Sequence, residues 1–329
     1  MVFNVGASRV EITYTCNGIS GFWRQKMETG MVKTSGSREA QIGSPTSALA
    51  RLAARIGEIS TLPEVVYRIL TLVEDPESGA ADLAEAVRSD PALAMRVMRT
   101  VNSPYYGLEE KVADLQQAIA ILGFREIRNL AITSHVATLF RTSGGHNHYS
   151  RRGLWQHLVA TGLVSRMIAQ TTGRLPPDEV YLAGLLHDLG LILLDQYAHA
   201  SFSRVVDALS LDRPTWHIEM EVLGFSHAEL GQTVARQWNL PEHLTAAIGF
   251  HHRPDQIQGA YCPLVCAVAV ADFLCHRQDV SSLGVANAPM PPADIFLQLA
   301  LGREALNQIV VQLEKALHSA EIMAFLHVR

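Results

Sequence analysis

The stretch AGLLHDLG, residues 183–190, joins an apolar run to a histidine and an aspartate that are adjacent in the chain. Its apolar residues predict a helix over residues 177–187, and we expect Gly190 to cap the end of that helix. Neighbouring side chains on a helix point about 100° apart, so His187 and Asp188 can serve two metal ions, or one ion and its bound water. Taken alone, such a pair is more often a structural contact than a site.

Three other helices bring histidines to similar positions, near an end or on an inward face. His157 lies among apolar residues of a helix predicted over residues 153–171, and His227 begins a helix after a serine. His251 and His252 end another apolar helix. For His157 or His227 considered singly, a structural or helix-capping role is the favoured interpretation.

Asp272 is the most informative of these residues. Apolar side chains surround it almost completely in the segment 264–274. A carboxylate buried without a partner costs several kcal/mol, so Asp272 needs a cation or a strong hydrogen-bond donor. A metal ion bound by imidazoles and carboxylates would supply the cation, and a buried salt bridge or helix-end contact is an equally good alternative.

Apolar helices thus repeatedly carry a His or an Asp near an end or on an inward face, which favours one shared metal site. The candidate ligands are His157, His187, Asp188, His227, His251, His252 and Asp272. The remaining histidines have no comparable setting, and we expect surface or capping roles for them. They are His135, His146, His148, His199, His217, His243, His276, His318 and His327.

Length and composition predict a globular protein with one large domain or two closely packed ones. Of the 329 residues, 48% are hydrophobic and 18% are charged, which suits a sizeable core. The net charge of -5, without a block rich in Lys and Arg, argues against nucleic acid and anionic membranes as partners. The most apolar stretch, residues 264–274, is too short for membrane insertion.

The cysteines and the first residues favour the cytoplasm. Four cysteines are too few for a disulfide framework, and no signal peptide follows Met1. Cys262, Cys266 and Cys275 lie in one apolar segment, so core packing is favoured over a zinc site that would include His276.

Helical periodicity begins near residue 47 and continues through the second half, which predicts an all-α protein. Asp90 and Pro91 form an N-cap and a first helical residue, a strong helix start. The segment 142–145, rich in glycine and small polar residues, is the best internal boundary. Residues 1–47 read as a flexible or accessory extension, in which the alternation from Val10 to Cys16 is compatible with a strand.

The order of motifs between about residues 49 and 276 resembles the HDOD domain, a relative of the HD and HD-GYP phosphohydrolases. In the first half, the resemblance rests on LPE at 62–64, SDPAL at 89–93, NS at 102–103, YG at 106–107, AI at 118–119 and LG at 122–123. In the second half, it rests on His157, LLHDLG at 185–190, GFSHAELG at 224–231, WNLP at 238–241, HH at 251–252 and AD at 271–272.

This resemblance implies a helical lobe over residues 48–145 and a second lobe over 146–329 that is similar to the HD phosphohydrolase core and includes the C-terminal helices. The seven candidate ligands carry over position by position, which is enough for one or two divalent transition-metal ions: iron, manganese or zinc. HDOD domains are generally regarded as regulatory output domains in bacterial signalling. The implied partners are therefore signalling proteins, and self-association is a further possibility.

Two functions of different classes follow from the resemblance. In the first, the chain is a regulatory interaction module. In the second, it is a metal-dependent phosphohydrolase acting on a nucleotide or cyclic dinucleotide, with Asp188 as a catalytic residue beside a metal-activated water. HD-GYP enzymes carry a lysine shortly after the HD pair, where this chain has Leu191, and a Gly-Tyr-Pro loop after the histidine pair, which this chain lacks. Leucine cannot stabilise developing negative charge, so regulation with weak or no catalysis is favoured.

A group of arginines near the boundary between the two halves is the remaining charged feature. It consists of Arg125, Arg128, Arg141, Arg151 and Arg152. We expect these residues to form a solvated helix face, and contact with an acidic partner is the alternative.

Overall fold

Helices form almost all of the regular structure, which confirms the all-α prediction. The computed structural model describes residues 2–6, 9–13, 45–59, 62–141, 144–285 and 288–317. Within those ranges the strands form two short antiparallel hairpins, one of β1 (Val2–Gly6) with β2 (Arg9–Thr13), the other of β3 (Gly145–His146) with β4 (Tyr149–Ser150). The alternation predicted as a strand falls partly in β2, and Tyr14 and Cys16 lie outside the described residues.

The first group of helices packs around apolar side chains of the N-terminal half. Its members are α1 (Pro45–Ile59), α2 (Glu64–Glu74), α3 (Ala80–Arg88), α4 (Pro91–Val101), α5 (Leu115–Leu122) and α6 (Phe124–Thr138). As predicted, α4 starts at Asp90, whose carboxylate accepts hydrogen bonds from the backbone N–H groups of Ala92 and Leu93. Helix α2 packs against α3 and α6, and α4 packs against α5 and α6.

Asn102 holds the loop that connects α4 with α5. Its Nδ2 donates to the carbonyl oxygens of Met98 at 2.9 Å and Val112 at 2.8 Å, while its Oδ1 accepts from the backbone N–H of Val112 at 2.8 Å. Since Val112 is buried, these bonds satisfy backbone groups that water does not reach.

We expect Asn102→Ala to lower the free energy of unfolding by about 2–3 kcal/mol, because it leaves both backbone groups of Val112 without the Asn102 side chain as a partner. Urea unfolding measures the change, and Gln116→Ala on the exposed face of α5 is the matched control. A loss below about 0.5 kcal/mol, no larger than for an ordinary surface substitution, would show that the loop does not depend on this side chain.

The second group of helices surrounds one long central helix, α7 (Arg151–Thr172). The others are α8 (Pro177–Leu186), α9 (Leu189–Tyr197), α10 (His199–Asp207), α11 (Thr215–Leu223), α12 (His227–Gln237), α13 (Glu242–Phe250), α14 (Cys262–Arg277), α15 (Ala293–Gln298) and α16 (Arg303–Leu317). Helix α7 packs against α8 and α14, and most of its side chains are buried. Among the described residues, no helix combines the length and apolar character that crossing a membrane requires.

The prediction that Gly190 caps a helix is wrong. Helix α8 ends beside the HD pair, and α9 starts again directly after it, so Gly190 lies inside a helix that the sequence analysis missed. A Cβ atom on Gly190 would overlap the carbonyl oxygen of His227 and lie 2.7 Å from its carbonyl carbon. Gly190 is therefore required because the N terminus of α12 packs directly on the backbone of α9.

The arginines predicted to form one solvated face have different environments. Arg128 is buried and lies near Glu179, and Arg151 pairs with buried Asp195, which also accepts a hydrogen bond from Tyr149 Oη at 2.8 Å. The solvated-face prediction is wrong for these two residues, because the Arg128 side chain is buried and the Arg151 side chain pairs with a buried carboxylate. Helix α1 lies against α12 and α9, and the boundaries at residues 47 and 145 stay predictions.

Candidate metal centre

The structure brings all seven candidate ligands into one buried cluster at the centre of the second group of helices. His157 lies in α7, His187 and Asp188 lie between α8 and α9, and Asp272 lies in α14. His227 is the first residue of α12, and the pair His251–His252 directly follows α13. The first turn of α12 is fixed by a capping box in which Ser226 N–H donates to Glu229 at 2.8 Å and Glu229 N–H donates to the Ser226 hydroxyl at 3.2 Å.

The Nε2 atoms of the histidines face one another at the centre of the cluster. The Nε2 atoms of His157 and His187 are 3.2 Å apart, and those of His227 and His251 are 3.4 Å apart. His252 Nε2 is 3.0 Å from His227 Nε2. Five imidazoles thus direct the same ring nitrogen towards a common volume.

The opposite ring nitrogens fix which tautomer these histidines adopt. Nδ1 of His157 is 2.8 Å from the carbonyl oxygen of Val280, and Nδ1 of His187 is 2.7 Å from that of Gly184. Nδ1 of His251 is 3.0 Å from another helix carbonyl. Carbonyl oxygens only accept hydrogen bonds, so each Nδ1 must carry the proton. In the neutral rings, every one of these Nε2 atoms then presents a lone pair, the form in which histidine binds metal.

Asp188 lies between two groups of histidines. Its Oδ1 is 3.1 Å from Nε2 of His227 and 3.3 Å from Nε2 of His251. Its Oδ2 is 3.4 Å from Nε2 of His187 and 3.7 Å from Nε2 of His157. When these rings are neutral, with their protons on Nδ1, Oδ1 has no hydrogen-bond donor among the described residues.

Asp272 lies beside His157 and His187. Its Oδ1 is 3.2 Å from Nε2 of His157 and 3.7 Å from Nε2 of His187, and it too lacks a donor within the described part of the chain. Lone pairs and carboxylate oxygens that converge in this way repel one another unless protons or a cation lie between them.

The donor set fits one or two metal ions. Metal–nitrogen bonds of about 2.0–2.1 Å place neighbouring ligand atoms roughly 3–3.5 Å apart, close to the separations found here. One set of converging ligand atoms comes from Asp188, His227, His251 and His252, and another comes from His157, His187 and Asp188. Asp188 belongs to both sets, so it could help to hold an ion in either of them.

The pKa shifts describe how the cluster holds charge without metal. Burial alone would lower the pKa of His187, but Asp188 and Asp272 outweigh burial and raise it to about 10. Burial likewise opposes the charge on His227, whose pKa Glu219 and Asp188 raise to about 10. Burial also works against ionised Asp188, but the adjacent His187 and His227 hold the pKa of its carboxyl well below its usual range. Protons would therefore occupy the metal-free cluster, and a divalent cation would replace them.

His276 also belongs to the cluster, so the prediction of a surface or capping role for it is wrong. It is buried on α14, one turn after Asp272, and its Nε2 lies 3.4 Å from Asp272 Oδ1. With His157 and Asp272 it forms a third set of converging ligand atoms. Burial lowers the pKa of His276 to about 4, so the ring is neutral and able to donate a lone pair. The i, i+4 spacing from Asp272 was the sequence signal that could have revealed it.

Glu219 is a second residue that the sequence analysis missed. It is fully buried on α11, and its carboxylate accepts hydrogen bonds from His227 Nδ1 at 2.7 Å and from His227 N–H at 2.8 Å. This carboxylate fixes the His227 ring and makes Nε2 a stronger metal donor. No local motif marks Glu219, because the contact forms only when α11 packs beside α12.

We expect Glu219→Gln to weaken metal binding by roughly 10–100-fold while the protein stays folded, because an amide of the same size polarises the His227 ring less. Competition with a chromogenic chelator measures the affinity. Glu221→Gln, an exposed carboxylate on the same helix, should leave it unchanged. Equal affinities for the two variants would show that Glu219 is only a packing residue.

Two small cavities border the cluster in the described part of the chain. One has a volume of about 10 Å³ and is lined by Asp188, Pro214, Thr215, Trp216, His227, His252, His276, Ser282, Ala288 and Pro289. The other, of about 60 Å³, is lined by Trp216, Met220, Ser226, Ala228, Glu229, Gly249, His252 and Arg253. A cavity of roughly 10–15 Å³ holds about one water molecule. Leu191 is buried within α9, and the residues after His252 form a 3-10 turn (Pro254–Gln256).

The helical fold and the buried cluster together define the class of protein: an all-helical domain with a His–Asp pair at its centre. The family model of the HDOD domain matches residues 59–254, which is more than half of the chain. The chain belongs to the HDOD domain family.

Proteins similar to this chain include curated relatives and solved structures. An uncharacterized protein from Treponema pallidum (strain Nichols) is 28% identical over 241 residues, covering 72% of this chain and 46% of that protein. The chain spans less than half the length of the curated relatives it matches. An HDOD domain protein of unknown function from Geobacter sulfurreducens is 26% identical, with a TM-score of 0.65 over 86% of this chain and 98% of that one. A structure from Marinobacter aquaeolei VT8, titled as a candidate signal transduction protein, shares the fold with a TM-score of 0.66 and 24% identity, covering 87% of this chain and 66% of that one.

Proposed function

We propose that this chain is a regulatory HDOD protein that acts in signal transduction through protein–protein interaction, with a His/Asp metal centre that braces its helices. Membership in the HDOD family supports the regulatory class. The name of the similar structure from Marinobacter aquaeolei VT8 also refers to signal transduction. We propose signalling proteins as its partners, in line with the regulatory class. We propose the cytoplasm as its location, because the described cysteines Cys262, Cys266 and Cys275 are free thiols, which suits a reducing compartment.

The observation that carries the proposal is the closed surrounding of the cluster. Catalysis requires a substrate oxygen or phosphorus next to the metal, but the two cavities described beside the cluster, of about 10 Å³ and about 60 Å³, are far smaller than the roughly 300–1,000 Å³ of small-molecule sites. Trp216, Ser282 and Pro289 are among the residues that line the smaller of these cavities. The residues of the cluster would hold a metal between several helices, and its binding would add to the folding energy as in closed structural sites.

The alternative function is a metal-dependent phosphohydrolase acting on a nucleotide or cyclic dinucleotide. The complete ligand set favours it, and a bound ion would supply Lewis acidity and an activated water. Asp188 would then hold the water as well as the ions. Leu191, buried in α9, provides no positive group for a phosphate, which counts against this function.

Parallel measurements on wild type and His187→Ala decide between the two functions. Elemental analysis after tag-free purification should find iron, manganese or zinc in wild type and far less in the variant. With each metal added, wild type should hydrolyse bis(p-nitrophenyl) phosphate no faster than His187→Ala does. Cross-linking in the native cell should recover a partner with wild type and much less of it with the variant. Robust hydrolysis that His187→Ala abolishes would establish the phosphohydrolase instead.

A further inference from the structure

A second, larger recess lies between the two groups of helices, and we call it the inter-lobe cleft. Its volume is about 830 Å³, within the range of roughly 300–1,000 Å³ that is typical of small-molecule sites. It is lined by parts of α2, α6 and α8, the turn after α12, α13 and the residue before α14. Its titratable residues are Glu74, Arg125, Arg128, Glu179, Arg236, Glu242, His243 and Tyr261. None of them belongs to the metal cluster.

Arg128 is the central observation in this cleft. Its side chain is 6% exposed, yet its Nε and Nη2 have no hydrogen-bond acceptor among the described residues. The nearest carboxylate oxygen, Oε1 of Glu179, is 3.9 Å from Nη2, too far for a hydrogen bond. Burial lowers the pKa of Arg128, a sign that its charge is poorly compensated. A buried guanidinium in this state is costly unless another group supplies acceptors.

The charges nearest Arg128 are of both signs, because Glu179 and Glu74 are negative and Arg125 is positive. Arg125 Nη1 is 3.3 Å from the same Oε1 of Glu179, so one carboxylate serves two guanidinium groups. Arg236, an exposed residue at the end of α12, adds a third guanidinium to the lining. Guanidinium groups match phosphate oxygens geometrically through paired N–H donors, and several of them together favour a dianion over a single carboxylate.

Other residues of the cleft lining suit a planar, hydrogen-bonding group. Tyr261 is 41% exposed, and its ring centroid lies 6.3 Å from that of His243. His243 Nε2 is buried without a hydrogen-bond partner in the described part of the chain. The exposed carboxylates of Glu74 and Glu242 can accept hydrogen bonds from amino groups of a ligand. An aromatic ring with an open face stacks favourably on a planar heterocycle.

We propose that the inter-lobe cleft binds a mononucleotide, with the phosphate group at Arg128, Arg125 and Arg236 and the base near Tyr261. The concave shape and the mixture of acidic and basic groups fit a small ligand that carries both an anionic group and N–H donors. Because helices of both groups line the cleft, the ligand would contact both lobes. This binding requires no metal at the His/Asp cluster, so it stands or falls independently of the function proposed above.

Isothermal titration calorimetry with guanosine and adenosine monophosphates tests the site, with inorganic phosphate and the two nucleosides as fragments. At least one mononucleotide should bind tenfold or more tightly than its nucleoside and than phosphate. Arg128→Gln should weaken this binding by roughly tenfold or more, since it removes charge-assisted hydrogen bonds. Arg174→Gln, an exposed arginine outside the cleft, is the matched control.

Two exposed positions keep the test valid if Arg128→Gln does not fold. Arg236→Gln should weaken the binding of mononucleotides but not of nucleosides. Tyr261→Ala should weaken the binding of both. Binding should persist in His187→Ala, and its loss there would assign the nucleotide to the metal centre and overturn the proposal. The proposal is equally wrong if neither mononucleotide binds, if nucleoside and mononucleotide bind equally well, or if no cleft variant changes the affinity.

Discussion

Asp188→Ala should remove nearly all metal from the protein, with an apparent affinity lower by more than about 100-fold. Both oxygens of Asp188 face imidazole nitrogens, Oδ1 towards His227 and His251, and Oδ2 towards His187 and His157. Its removal therefore takes one ligand from each of the two positions at once. It also removes the negative charge that balances the cations in a buried site.

Elemental analysis of tag-free protein measures this loss directly, and thermal unfolding with and without chelator gives a second readout. Wild type should unfold at a lower temperature after chelation, while Asp188→Ala should show the same low value in both conditions. His148→Ala, an exposed histidine, should retain the metal content and the response of wild type. Wild-type metal content in Asp188→Ala would mean that the carboxylate is not a ligand.

Gly190→Ala should destabilise the fold by at least about 3 kcal/mol, more than most single substitutions. The added methyl group would overlap the carbonyl of His227, which is backbone and cannot rotate away as a side chain could. Relief requires α9 and α12 to separate. Because His227 and Asp188 lie at this contact, the same shift should also weaken metal binding.

Urea unfolding and metal analysis of Gly190→Ala should show both losses together. Gly302→Ala is the control, because a Cβ there meets no heavy atom within 4 Å. Gly302→Ala should leave stability unchanged or raise it slightly, since it restricts the unfolded chain. If the two variants were equally stable, the close packing of α9 on α12 would not be a determinant of the fold.

The sequence predicted the helical class and the seven clustered residues because both depend on local pattern. Apolar periodicity marks the helices, and a charged residue such as Asp272 within an apolar run needs a partner wherever the run is packed. The sequence pattern did not reveal helix α9, because residues 189–194 are all apolar and only His187 and Asp188 separate α9 from α8, so no change of period marks its start. Gly190 was misread for the same reason: a glycine after an apolar run looks the same whether it ends a helix or contacts another one.

Two further residues of the structure that the sequence did not reveal, Glu219 and Arg128, make contacts between different helices. Glu219 reaches His227 only through the packing of α11 on α12, and Arg128 is buried only because α6 lies against α8. Neither residue has a neighbour in sequence that reveals its partner. His276 differs from these two residues, because Asp272, the residue that it contacts in the cluster, lies one turn away on the same helix.

The arrangement of ligands around Asp188 has a consequence for the life of the protein in the cell. A cation at this cluster would tie together segments as far apart in sequence as residues 157 and 272, and it would bind only the folded arrangement. The fraction of chains that survive proteolysis would then follow the supply of the metal, because chains without it unfold more often. The amount of this protein in the cell would then depend on the supply of the metal.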